Sequence, residues 1–295
     1  MPPRDASELV WLLLPLFLAS VVAGGVVVQS AAQRLSRPFP LTPWESAIFV
    51  DAWRVTQGQA VYHLPPDGRA THMYGPLTTY ATAAFVKAAD ATFGLDVRAA
   101  RIVPAAASLC MVLAMPLLLL GRERWRLLLP GAVLVGVQLY RTRTAYAEAR
   151  PDAASVALTF FALVLLYLGH ERRRAGLVFA GAGLLAVAVL FKQPAAVAAG
   201  VPVLVTLLRP GPAWLRRLAW SFVAPAAVGF TMLAIYVAFP DVWFHMVQVP
   251  ALFPVNKGVW LHSLLNLPAH HTLALLAVGV WLVGGGQVGG GLARL

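Results

Sequence analysis

From Leu9 to Val28 the chain runs for 20 residues, LVWLLLPLFLASVVAGGVVV, without one charged side chain. A helix rises about 1.5 Å per residue, so this stretch reaches about 30 Å, the depth of a hydrocarbon core. In lipid every backbone N–H and C=O must be satisfied within the protein, which leaves the helix as the natural form of such a run. Similar runs follow near 100–120, 127–140, 152–168, 177–191, 194–208, 218–239 and 271–285. The expectation is an all-α polytopic integral membrane protein of about eight transmembrane helices, forming one domain over residues 1–295. A cleaved signal peptide is the rival reading of the first run. It calls for a shorter apolar core behind a basic start, whereas Arg4 is followed by Asp5 and Glu8.

Composition excludes the soluble alternatives. Hydrophobic residues make up 59% of the chain and charged ones 12%, too little polar surface to coat a water-soluble globule. A net charge of +11 in a soluble protein would suggest nucleic acid. Here the arginines gather between apolar runs, where they report topology, so no nucleic-acid partner is implied. Cys110 is the only cysteine, which leaves no intrachain disulfide and no cysteine metal site. The histidines, His262, His270 and His271 among them, lack metal-ligand spacing, so the sequence supports no cofactor, and a divalent metal stays open without support from it.

Three short loops carry Arg122, Arg124 and Arg126, then Arg172, Arg173 and Arg174, then Arg209, Arg216 and Arg217, and the positive-inside rule makes them cytoplasmic. Alternation then puts residues 29–99, 140–151, the Lys192–Gln193–Pro194 junction and 240–270 outside. Arg141, Arg143 and Arg150 run against the bias and cost the rule some of its support; a partner could hold them there, an anionic ligand being one candidate. The glycine-rich end, VGGGQVGGGLARL, ends abruptly and reads as a truncated C-terminal part.

Within the first external loop, Thr42 to Tyr80 is polar enough to leave the bilayer and reads as the floor of an active site. Two amphipathic surface helices are expected there, near 43–57 and 76–92, broken by the Pro65–Pro66–Asp67–Gly68 turn. Thr42, Pro43 and Glu45 fit a capping box, in which Glu45 only satisfies backbone donors. The helical projection offers a second reading. At about 100° per residue Glu45 shares a face with Ile48, Phe49, Ala52 and Thr56, and a carboxylate on an apolar face is either buried at a cost or set in a polar cavity as a base. Asp51 lies about 240° round beside Arg54, the spacing of a surface ion pair. His72 and Tyr74 complete the loop's candidate substrate-binding residues.

Two more carriers lie outside by the same topology. Arg150 stands at the mouth of a span and suits a bidentate grip on phosphate, while Asp152, after Pro151, suits either an early-turn acid on a helix dipole or a ligand-facing group. Lys192 lies between apolar runs. It reads equally as a snorkelling lysine or as a point charge for a lipid-linked phosphate.

The order of these segments is similar to one family. A first span, the external loop opening with Trp44–Glu45, then AWRVTQGQAVY and a Tyr-Gly-Pro-Leu turn, RPDA at 150–153 and FKQPA at 191–195 resemble bacterial members of the C-type glycosyltransferase (GT-C) superfamily. Those proteins include the protein O-mannosyltransferases and the lipid A aminoarabinose transferases. The resemblance, over residues 10–210, implies two loop helices along the surface of the bacterial inner membrane and an active site facing the exterior or periplasm. It also implies Glu45 as catalytic base and Lys192 near the phosphate of a polyprenyl-phosphate sugar donor. Arg150, Pro151 and Asp152 match an arginine-containing turn. Transfer to a lipid, glycan or protein hydroxyl would invert the anomeric centre. Many relatives carry Asp-Glu where this chain has Trp44–Glu45, which speaks against a metal-binding role for the pair. Relatives are also commonly longer, with more spans and often an external soluble domain, so the chain reads as a fragment lacking acceptor-recognition parts. The competing classes are a secondary transporter, which calls for midplane polar residues and a repeat that the sequence does not display, and a non-catalytic membrane scaffold.

Overall fold

In the computed structural model, the structure describes residues 6–62, 73–93, 96–120, 128–141, 148–208 and 214–249. Among them every regular element is helical. Among the described residues four helical stretches are long and apolar enough to cross a membrane: Phe17–Leu35, Val97–Leu118, Asp152–Glu171 and Trp214–Ala238. The expected spans near 177–191 and 194–208 appear as the shorter apolar helices Ala175–Phe191 and Gln193–Leu208. The span expected near 127–140 is a 14-residue helix, Leu128–Arg141. The run at 271–285 lies outside the described residues, as does the turn at 65–68.

The chain divides into two compact units, the first made of residues 1–34, 108–146 and 255–295 and the second of 35–107 and 147–254. In the first, α1 (Ala6–Leu35) and the 14-residue helix approach through small residues. A Cβ on Gly24 would lie 3.2 Å from Val133, and one on Gly136 would lie 3.5 Å from Val27. Glycine against a branched side chain lets backbones close up where lipid supplies no hydrophobic drive.

The second unit begins with α2 (Pro43–Thr56) and α3 (Pro76–Phe93). Thr42 is the N-cap of α2, extended at φ −144°, and its hydroxyl accepts from the Glu45 N–H. Pro43 occupies the first helical position, where its missing N–H costs nothing. A short α4 (Val97–Ala100) starts on Asp96, whose carboxylate accepts from the Arg98 backbone N–H at 2.8 Å and is held below the usual carboxylate range chiefly by the Arg98 side chain. It runs into α5 (Ile102–Leu120), which is followed by α6, the helix Leu128–Arg141. Ala52, Ala83, Val86, Ala99, Ala100 and Ala149 bury together among α2, α3 and α4.

The core of this unit is a hairpin of α7 (Asp152–Glu171) and α8 (Ala175–Phe191). Gly181 sits on α7 so closely that a Cβ would fall 2.8 Å from the Ala162 carbonyl. The turn between them is a Schellman motif. Arg173 N–H donates to His170 C=O and Arg174 N–H to Gly169 C=O, with Arg173 in the left-handed region at φ 54°. At the other end Pro194 cannot supply the N–H that would continue α8, so the chain turns extended at Lys192 and resumes as a 3-10 segment, Gln193–Ala199. Then come α9 (Gly200–Leu208), α10 (Trp214–Ser221) and α11 (Val223–Ala238), whose Ala224 and Val228 complete the hairpin's core.

Candidate functional site

The break after α8 organises one end of the hairpin. With no N–H from Pro194, the last carbonyls of α8 need other donors. Phe191 C=O accepts from the Gly75 N–H at 3.2 Å and from the Thr78 hydroxyl at 2.7 Å. Gly75 is the residue this contact requires, because a Cβ there would lie 2.0 Å from the Leu190 carbonyl. The Tyr-Gly-Pro turn is thereby fixed against the end of α8. Gln193 adds a bond from its amide to Met73 C=O at 3.0 Å, and the Tyr62 hydroxyl donates to Tyr74 C=O at 2.7 Å.

Four of the residues expected at a site meet here. Lys192 Nζ lies 2.5 Å from Asp152 Oδ1, Arg150 Nε 3.2 Å from Asp152 Oδ2, and Lys192 Nζ 5.8 Å from the centre of the Tyr74 ring. Arg150 also faces Glu148 at 3.9 Å. Two cations and two carboxylates thus balance at the polar end of an apolar hairpin. Arg150 and Lys192 keep 27% of their side-chain surface exposed and Asp152 keeps 16%, so solvent or a ligand reaches them. Burial pushes the Tyr74 phenol above its ordinary range, with the nearby Arg150 pulling the other way, so it stands as a neutral hydroxyl at physiological pH. Asp152 is in the first turn of α7, yet its oxygens go to these side chains and no side-chain cap bond forms at Pro151.

Glu45 is placed differently from the base expected of it. It is fully buried, and four hydrogen bonds fill its carboxylate: Arg101 Nε at 2.7 Å and Ala149 N at 2.8 Å on Oε1, Arg101 Nη2 at 2.8 Å and Leu41 N at 2.6 Å on Oε2. A carboxylate has about four lone-pair positions, so none is left for an acceptor hydroxyl. Arg101 also donates from Nη1 to Arg37 C=O at 2.6 Å and from Nη2 to Phe39 C=O at 2.8 Å. The capping-box expectation also shifts by one residue, since the N–H that Glu45 holds belongs to Leu41. Glu45 therefore joins the loop before α2 to the start of α5 and, through Ala149, to the segment carrying Arg150 and Asp152.

Asp51 departs from the surface pair expected. Arg54 faces it at 3.7 Å, but only 5% of the Asp51 side chain is exposed. The buried stripe of α2 extends from Asp51 through Ile48 and Ala52 to Glu45, about 120° of the projection, wide enough to take in a residue 60° from Ile48. His72 lies outside the described residues. Among the described residues no three His, Cys, Asp or Glu side chains gather as metal ligands would.

Arg101 and Gln193 were not singled out by sequence reasoning. The signal for Arg101 was present, since an arginine at the head of a 19-residue helix of apolar residues calls for a partner. Gln193 lay inside the FKQPA segment, where the neighbouring lysine drew the attention.

No protein-family model, curated protein or solved structure matches the chain.

Proposed function

We propose that the protein is a membrane glycosyltransferase moving a sugar from a polyprenyl-phosphate donor to an acceptor hydroxyl, on the external face of a bacterial inner membrane. The observation that carries this reading is the convergence of Lys192 and Arg150 on one carboxylate, Asp152, at the polar end of the α7–α8 hairpin. A lipid-linked phosphate presents its charge at that depth, with its chain in the apolar layer. The two loop helices, lying along the membrane surface, would bring Tyr74 over it.

The chemistry uses these groups in sequence. Donor phosphate draws Lys192 and Arg150 away from Asp152 by offering them a better-charged partner, and the freed carboxylate faces the acceptor. The acceptor oxygen attacks the anomeric carbon while the bond from that carbon to the phosphate oxygen breaks. The electron pair leaves on the phosphate, stabilised by the two cations, and the hydroxyl proton passes to Asp152. Direct displacement inverts the anomeric centre. Glu45 acts here as a positioning residue that holds residues 148–152 through the Ala149 N–H.

The test is sugar transfer from polyprenyl-phosphate donors in purified membranes. Asp152→Asn is expected to accumulate normally and lose about 100-fold to 10,000-fold in rate, the range for a general base. Lys192→Ala is expected to raise the donor KM more than it lowers turnover. Near-parental transfer by the Asp152→Asn protein would remove Asp152 as the base.

A further inference from the structure

The other end of the same hairpin holds a cavity of about 690 Å³. Its walls are apolar, with Leu163 and Leu166 on α7, Val205 on α9 and Trp220 on α10. Its rim is basic: Arg173 from the hairpin turn and Arg216 and Arg217 from α10 face one acid, Glu171. The wall is built rather than incidental, because Thr206 on α9 and Ser221 on α10 hydrogen-bond at 2.8 Å and pin those helices together.

Two further observations point to a ligand. His170 lines the cavity, and its Nε2 is buried without a hydrogen-bond partner among the described residues. Arg173 occupies the left-handed position of the Schellman turn, where glycine is the usual residue because it has no Cβ to strain. The arginine at that place lines the cavity. A strained residue that lines a cavity is a reason to look for a ligand there.

We propose that this cavity binds an anionic phospholipid, its phosphate diester held by Arg173, Arg216 and Arg217 and its acyl chains along the apolar walls. The rim carries three positive charges against one negative, which complements a phosphate. A free anion would have no use for the walls, and exposed apolar side chains flank them, Leu204 on α9 and Trp214 and Leu215 on α10. Tryptophan beside arginine is the composition of a membrane interface. His170 lies 18 positions along α7 from Asp152, about 27 Å of helix, so this site is separate from the one proposed for sugar transfer.

The experiment uses the full chain in nanodiscs of phosphatidylcholine doped with brominated lipid. Quenching is read as the difference between the parent and Trp220→Phe, which isolates the tryptophan in the cavity wall. Brominated phosphatidylglycerol is expected to quench Trp220 at a lower mole fraction than brominated phosphatidylcholine. The Arg216→Gln/Arg217→Gln protein should need about 10-fold more of the anionic lipid, as loss of charge-assisted bonds implies. Arg173→Gly guards against misfolding, since it relaxes the backbone; it should unfold no earlier than the parent and still bind the anionic lipid more weakly. Equal quenching by the two lipids would overturn the proposal, and so would unchanged binding in both arginine variants. Inorganic phosphate alone supplies the last arm: if it raises the thermal midpoint through the three arginines while phosphatidylglycerol fails to quench, the site takes free phosphate and the lipid assignment is wrong.

Discussion

Arg101 donates two parallel hydrogen bonds to the carboxylate of Glu45, and both side chains are fully closed off from solvent. Breaking such a pair from one side leaves the other charge buried without its partner, at about 3–5 kcal/mol. Glu45→Gln is therefore expected to lower stability by that order, with Arg101→Met similar. The double variant should lose clearly less than the sum of the two. Denaturant titration in detergent micelles reads all three, and a Glu45→Gln protein as stable as the parent would show that the pair does not hold the loop.

Two glycines in the second unit should respond to alanine with opposite signs. At Gly75 the added carbon would meet the Leu190 carbonyl at 2.0 Å, a backbone atom that cannot swing aside. At Gly176, inside the first turns of α8, it would meet nothing within 4 Å. Gly75→Ala should then destabilise by several kcal/mol if it folds at all. Gly176→Ala should stabilise by about 0.5–1 kcal/mol, from the helix propensity gained. Thermal midpoints of the two proteins decide the matter, and a shared direction of change would contradict the packing described.

Alkaline pH should loosen the chain through Tyr62. Burial pushes its phenol far above the ordinary value, with Tyr80 adding to the effect. A raised pKa means that the folded state favours the neutral form. The contribution is fully present below about pH 10, where an unfolded tyrosine titrates, and is lost as pH rises beyond it toward the folded value. Tyr62→Phe gives up the bond to Tyr74 C=O, about 1 kcal/mol, but should flatten the stability loss above about pH 10. Unfolding curves across that range, parent against variant, are the measurement. Parallel curves would mean that another group carries the alkaline transition.

The proposed topology has its own test. In a Cys110→Ala background, Arg69→Cys should react with an impermeant maleimide from outside intact cells, and Arg174→Cys only after the membrane is opened. Labelling of both from one side would require a different threading of the chain.

What the sequence made legible, and what it hid, follows from the range of the forces involved. The start of α2 was readable because Thr42 and Pro43 act on their own neighbours, and α3 begins at Pro76 for the same local reason. The end of α8 was readable from Pro194. Longer reach defeated the reading of Glu45, whose partner Arg101 lies 56 residues away and whose fourth bond comes from a backbone N–H 104 residues away. A projection says which face a carboxylate occupies, not what waits there. The same blindness put Asp51 at the surface. Lys192 and Asp152 stood out singly as charges beside apolar runs, but only the α7–α8 hairpin brings them together.

The carbonyl of Phe191 has one further implication, for the order in which the chain is made. Its hydroxyl donor, Thr78, precedes it by 113 residues. Synthesis at about 5–20 residues per second therefore leaves the Tyr-Gly-Pro turn without its counterpart for roughly 6–23 seconds. During that interval the Gly75 N–H and the Thr78 hydroxyl are without the carbonyl they bond in the folded chain, and water is the partner that can stand in for it, so the turn waits in an aqueous compartment rather than in lipid. A nascent chain arrested before α8 emerges should accordingly leave residues 73–80 open to protease, and one arrested well beyond Pro194 should protect them.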